Sequence, residues 1–433
     1  MDLVVEGKAY VQGAFQDCCI GIDDGKIVAI KKILKGETHY RFPHKLLLPA
    51  GIDLHVHFRD PGMTHKEDFS TGSLAAAFGG ISCVFDMPNT QPQTTTGRTL
   101  LEKTQQATAT SYVDFGLYLG VLDANLGRLA ELAPLCHGFK MYLGETTQAH
   151  VLHEPNLPQA FKTIASSDKL LLVHGEDYAC LLNHRRVEHS LKDHLQARPA
   201  LCEEQALKQV LHLARALSCR LHVCHVSSTE GMTLLRKKPP LISCGVTPHH
   251  ALFHVNQDLH PPQWYKVNPP LRTSFDQETL FDHLQKGAVD ILESDHAPHT
   301  LDEKNVDFDQ VPSGLPGVET MYPLFLYFAS KDMLSIDRLV HLICEKPAEL
   351  MKLPKGKLMV GNDADLIVVD LSQPQKIQAT RLHSKCGWTP FEGWNAVFPS
   401  HVFLRGNVIV EEHENVGAPG MGQPVTKRGS ISI

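Results

Sequence analysis

The middle of the chain repeats one pattern: a short apolar run that suits a buried strand, then a longer stretch with apolar residues three and four apart. The runs fall at 51–57, 81–86, 113–119, 138–143, 170–174, 220–226, 241–246 and 289–294. Between them lie helical patterns such as Cys202 to Leu217, where Leu207, Val210, Leu211 and Ala214 make an i, i+3, i+4, i+7 stripe. Eight strand-helix units predict an α/β fold of the TIM (β/α)8 barrel type over 51–354. A doubly wound sheet is the rival, but no glycine-rich phosphate turn follows the first strand.

Both chain ends alternate with the shorter period of exposed sheets. Leu3 to Val11 and Ile20 to Ile30 flank Asp24-Gly25, a hairpin signal. Ala364 to Asp370 and Val402 to Val410, with a turn expected at Gly406-Asn407, have the same character. Neither end alone holds enough strands to be stable. Residues 1–50 and 355–433 are therefore expected to meet in one small β-sandwich-like accessory domain, with disorder expected only over the last dozen or so residues.

Polar residues gather where the apolar runs stop. His55 and His57 are two apart, which puts both on one face of a strand, and Arg59 extends the row. Lys140, His174, His225 and Asp295 end later runs. In a barrel the C-terminal strand ends form the reactive face. Neutral imidazole and carboxylate suit zinc, and Asp53 is a candidate to orient a ligand ring from behind. Lys140 has only donors and cannot bind a cation as an amine. It reads as an interior or substrate-binding lysine, or as one carbamylated by carbon dioxide into a bridging carboxylate. Asp295 is able both to ligate and to move a proton. Cys224, next to His225, is expected to face the other way and pack. Arg59 offers a fork for a carboxylate, and Asn89 and Asn268 lie on the same rim.

Composition narrows the class. With 42% hydrophobic and 21% charged residues the 433-residue chain reads as globular, and a net charge of −7 without a basic block argues against nucleic acid. No apolar run is long enough for a bilayer span, and Met1 to Gly7 lacks the layout of a signal peptide. Eleven scattered cysteines are expected to be free thiols in a cytoplasmic enzyme with a small-molecule substrate. A homodimer is the default assembly.

Asp-Leu-His-Val-His-Phe-Arg-Asp-Pro-Gly (53–62), Lys-Glu-Asp-Phe-Ser-Thr-Gly-Ser (66–73), Asp-Met-Pro-Asn-Thr-Gln-Pro (86–92), Phe-Lys-Met-Tyr-Leu (139–143), Val-His-Gly-Glu (173–176), His-Val-Ser-Ser (225–228), Val-Asn-Pro-Pro-Leu-Arg (267–272) and Ser-Asp-His-Ala-Pro-His-Thr (294–300) together resemble the amidohydrolase superfamily. Within it they are most similar to the dihydroorotases, especially the domains embedded in larger polypeptides, which share the lysine.

The resemblance implies two zinc ions, one held by His55, His57 and Asp295 and the other by His174 and His225. Carbamylated Lys140 would bridge them, and a bridging hydroxide would be the nucleophile. Arg59, Asn89 and His299 would grip a substrate carboxylate and Asn268 the ring, with backbone of the loop at Ser313 and Gly314 closing over it. The implied reaction interconverts N-carbamoyl-L-aspartate and L-dihydroorotate in pyrimidine synthesis, with Asp295 as acid and base. Allantoinases and hydantoinases would share the ligands. Some relatives are non-catalytic partners of aspartate transcarbamoylase, so association with that enzyme is a further expectation.

Overall fold

The computed structural model describes residues 1–426. Eight parallel strands follow one another in sequence order: β1 (Gly51–Val56), β2 (Ile81–Asp86), β3 (Asp114–Gly120), β4 (Gly138–Tyr142), β5 (Leu170–His174), β6 (Leu221–Val223), β7 (Ile242–Val246) and β8 (Ile291–Leu292). Just beyond β8, His296 bridges in parallel to Val56, and its carbonyl accepts the His57 N–H at 2.8 Å. That contact returns the sheet to its start, so the architecture is a (β/α)8 barrel.

Side-chain alternation builds two layers. Ile52, Leu54, Phe85, Tyr118, Leu170, Leu172 and Ile291 pack inside one end with Leu350, Met351 and Leu353. Val84, Phe115, Leu117, Phe139, Met141, Leu171 and Val173 turn outward and join Leu207, Val210 and Leu211 of the helix Ala200–Leu217. Ile52 and Leu54 fill the apolar floor, yet His55 and His57 face the opposite, polar mouth. The pairing of β1 with β2 shifts register between Asp53 and Val56, and such an irregularity re-aims a side chain.

The first 49 residues and the C-terminal strands share a second sheet. Its order is Glu414–Asn415, Asn407–Glu411, His401–Leu404, Leu366–Val369, Thr38–Pro49, Leu3–Val11, Ala14–Asp23 and Lys26–Lys31. All pairs are antiparallel except Leu3–Val11 with Thr38–Pro49. The hairpin at Asp24-Gly25 has φ of 47° and 71°, as a two-residue turn requires. The later hairpin turns at Arg405-Gly406, φ 45° and 74°, not at the expected Gly406-Asn407, because Asn407 already pairs with Leu404.

A buried charge cluster joins sheet to barrel. Lys355 Nζ lies 2.7 Å from Asp114 of β3, 2.8 Å from Asp363 and 2.7 Å from Asp365. Those three carboxylates would suit a cation, and the lysine amine already stands among them. Cys180 and Cys202 form a disulfide, correcting the expectation of free thiols throughout. The two are 22 residues apart in sequence and are brought together where the Asp177 N–H donates to the Cys202 carbonyl at 2.9 Å. No helix among the described residues is long and apolar enough to cross a membrane.

Candidate active site

One cavity opens at the C-terminal mouth of the barrel. It is lined by His55, His57, Arg59, Asn89, Lys140, His174, His225, Asn268, Asp295, Ser313 and Gly314, with Tyr142, Thr146 and Thr147. His299 stands behind Arg59, whose Nη2 is 3.3 Å from the His299 Nε2.

The tautomers can be read from the neighbours. Asn89 donates through Nδ2 to the Thr147 carbonyl (2.9 Å), which leaves its Oδ1 to accept from His57 Nδ1–H at 2.6 Å. The His57 Nε2 lone pair then faces Asp295 Oδ1 at 3.1 Å, and His55 Nε2 approaches the same oxygen at 3.3 Å. His174 donates Nε2–H to Glu176 at 2.8 Å, so its Nδ1 lone pair faces His225 Nε2 at 3.2 Å. The buried His225 Nδ1 has no hydrogen-bond partner. Burial pushes the His57 pKa down to about 3, lowers that of His174 and drives that of His225 far below the usual range. Neutral His57 then turns a lone pair on a carboxylate, and neutral His174 turns one on the His225 ring. His55, His225 and Asp295 offer ligand atoms all within 4.8 Å of one another, so the donor set fits divalent cations of the zinc type.

Lys140 is fully buried in β4, and its Nζ donates to Cys224 Sγ at 3.2 Å. Cys224 therefore turns toward Lys140 and not to the far side, though it packs as expected, among Leu54, Tyr118 and Leu172 of the apolar floor. His225 has φ of 35°, in the left-handed region, so strict alternation has ended by then. Asp295 (φ 45°) and Arg59 (φ 62°) share that backbone, the kind of strain that clusters at functional sites. Asp53 does not orient a ring. Its Oδ1 accepts the backbone N–H groups of His55 (3.1 Å) and Ser294 (3.2 Å), tying β1 to the segment after β8.

Arg59 is 2% exposed, and its Nε donates to the Pro298 carbonyl at 3.2 Å. Among the described residues no carboxylate lies within 4.0 Å of its guanidinium. Asn268 Oδ1 is buried without a partner, and its Nδ2 is 3.4 Å from Thr146 Oγ1. The Ser313 carbonyl accepts from Thr147 Oγ1 at 3.0 Å. Gly314 gives its N–H to the Lys266 carbonyl at 2.9 Å and its carbonyl accepts from Lys304 Nζ at 3.0 Å. At its φ of 140° a Cβ would meet the Ala297 carbonyl at 2.4 Å, so the close approach requires glycine.

Two buried carboxylates were not anticipated from sequence. Glu176 accepts from both His174 and Arg198, and Glu293 lies 3.4 Å from His55 Nδ1. Each sits two residues from a named candidate, His174 and Asp295, a spacing that the strand period marks as same-sided.

The amidohydrolase family matches residues 46–409. The chain belongs to the amidohydrolase family. Among curated relatives it is 39% identical to the dihydroorotase of Methanosarcina acetivorans, over 98% of this chain and 95% of that one. It is 38% identical to the dihydroorotase of Thermoplasma acidophilum, over 97% of each. Among solved structures, L-hydantoinase (dihydropyrimidinase) from Arthrobacter aurescens superposes with a TM-score of 0.95 at 29% identity, covering 98% of this chain and 100% of that one. As an amidohydrolase the chain places its family motifs at one barrel mouth, around candidate metal-binding groups.

Proposed function

We propose that this amidohydrolase interconverts N-carbamoyl-L-aspartate and L-dihydroorotate, with water added or lost at a ring amide. The single observation that carries the choice of substrate is Arg59, a buried guanidinium on the cavity wall with no carboxylate partner of its own among the described residues. Burying an unpaired cation is costly, and a ring carboxylate would complete it. The dihydroorotase names of the curated relatives support the same substrate.

Two zinc ions are the cofactor we assign, one toward His55, His57 and Asp295, the other toward His174 and His225. Lys140, buried with a thiol for its hydrogen-bond partner, would bridge them once carbamylated. Bound divalent cations lower the pKa of water and polarise an amide carbonyl. The protein's own part follows from its geometry. In ring opening, water adds its oxygen to the amide carbon, the ring C–N bond breaks, and Asp295 carries the water proton to the leaving nitrogen. In ring closure the same carboxylate takes the proton from the attacking carbamoyl nitrogen. Asn89 holds the His57 ring, and Glu176 holds His174. Asn268 Oδ1 is placed to accept from a ring N–H, and Arg59 with His299 holds the carboxylate. We also assign residues 1–50 and the described part of 355–433 to one accessory domain and 51–354 to the barrel, because strands from both ends share one sheet, while 427–433 lie outside the described residues.

The second reading is a hydantoinase, favoured by the Arthrobacter aurescens likeness. An uncharged ring has no use for Arg59. Turnover of dihydroorotate, hydantoin and allantoin by the zinc-loaded protein, measured side by side, decides. Preference for dihydroorotate supports the proposal, and preference for either other ring rejects it.

A further inference from the structure

Lys66 lies outside the cavity yet touches His299, the residue behind Arg59. It is 6% exposed, and its Nζ is 3.2 Å from His299 Nδ1 and 2.8 Å from Glu303 Oε1. An ammonium only donates, so the His299 nitrogen facing it must keep its lone pair. Burial pushes His299 down to about 3, so the ring is neutral near pH 7 and has one N–H to place. That proton goes to Nε2, where the Ser313 carbonyl accepts it at 3.2 Å.

The opposite tautomer fits less well. It would send Nδ1–H to Glu303 Oε2 at 3.5 Å, beyond good hydrogen-bond length, while Glu303 already pairs with Lys66 and accepts the Thr300 N–H at 3.1 Å. With Nε2 protonated, the Arg59 Nη2 at 3.3 Å cannot bond to it, since both groups are donors. Arg59 Nη2 therefore finds no acceptor on His299, and a carboxylate oxygen placed between them would take the Nη2–H and share the Nε2–H with the Ser313 carbonyl.

We infer that Lys66 is a positioning residue that fixes His299 as an Nε2–H donor, so that His299 and Arg59 together select a ligand bearing a ring carboxylate. The inference rests on the proposed substrate, and two separate measurements keep the claims apart. The first needs no substrate. In protein labelled with 15N-histidine, the ring nitrogens of His299, assigned by their loss in His299→Ala, should report Nε2–H and a bare Nδ1. A bare Nε2 overturns the inference whatever the enzyme acts on.

The second is kinetic. Lys66→Met should raise KM for dihydroorotate at least tenfold with kcat within threefold, and Lys66→Arg should restore most of the loss. An unchanged KM, or equal losses that Lys66→Arg does not repair, overturns it by showing an inert or merely structural lysine. If Lys66→Met does not fold, the nitrogen spectrum of the unaltered protein decides. An Nε2–H signal in a protein that ignores dihydroorotate would keep the tautomer and reject both the substrate and the selective role of Lys66.

Discussion

Replacing Arg59 with methionine separates binding of a carboxylate from upkeep of the fold. In the free protein burial pushes the Arg59 pKa from 12.5 down to about 10, so holding the cation there costs about 3 kcal/mol. A bound carboxylate offsets this and adds charge-assisted hydrogen bonds of about 1.5–3 kcal/mol each. Removing the guanidinium should therefore lower kcat/KM for dihydroorotate by about 3–4 kcal/mol, or roughly 140- to 700-fold at about 1.4 kcal/mol per tenfold. The same change removes an unpaired buried charge. Folded Arg59 binds its proton less tightly than unfolded Arg59, so near pH 7 the charge weakens the fold, and the penalty fades as pH rises from about 10 toward 12.5. Arg59→Met should then unfold at or above the parent temperature at pH 7. Steady-state kinetics and thermal melts on one preparation test both halves. Dihydroorotate turnover within threefold of the parent would refute the carboxylate role, and a markedly lower melting temperature would refute the account of an unpaired charge.

Other expectations follow the same logic. Glu176→Gln should weaken zinc binding about 10- to 100-fold, because the His174 ring loses the carboxylate that orients it; competition with a chromogenic chelator measures this, and parental affinity would count against it. Gly62→Ala should cost about 3 kcal/mol in thermal or denaturant unfolding, since its φ is 92° and a Cβ would meet the Gln91 carbonyl at 1.9 Å; a loss under 1 kcal/mol would contradict the packing of the loop that carries Asn89. Burial raises the Glu188 pKa, but hydrogen bonds from His194 and Lys266 outweigh it and hold the carboxylate at about 2. Its stabilising effect is thus complete above the unfolded value near 4.5 and fades toward pH 2. Glu188→Gln should melt below the parent at pH 7 and approach it as the pH falls, and a constant gap would contradict that coupling.

Much of the barrel was legible because each strand is buried on both faces and reads as an apolar run between helical stripes. The family motifs were legible because reactive side chains stop those runs at one end. The misreadings share a physical cause. Cys224 defied the strand period because its neighbour His225 leaves extended backbone, and a sequence does not announce a positive φ at histidine. The Arg405-Gly406 turn was displaced one residue by the ladder that Asn407 completes. The Cys180–Cys202 link, the Lys355 cluster and the contact of Lys66 with His299 join positions far apart in the chain, and no local pattern encodes their meeting. Glu176 and Glu293 were within reach, since each lies one strand period from a named candidate.

The central claim is that neutral imidazoles and a carboxylate at the barrel mouth gather two cations around Lys140. A crystal structure of protein grown with zinc and bicarbonate, with metal content measured on the same sample, tests it most directly. The account predicts two zinc ions per chain, among His55, His57, Asp295, His174 and His225, with density for a carboxylate continuing from Lys140 Nζ. A bare Lys140 amine and a mouth empty of metal would contradict it.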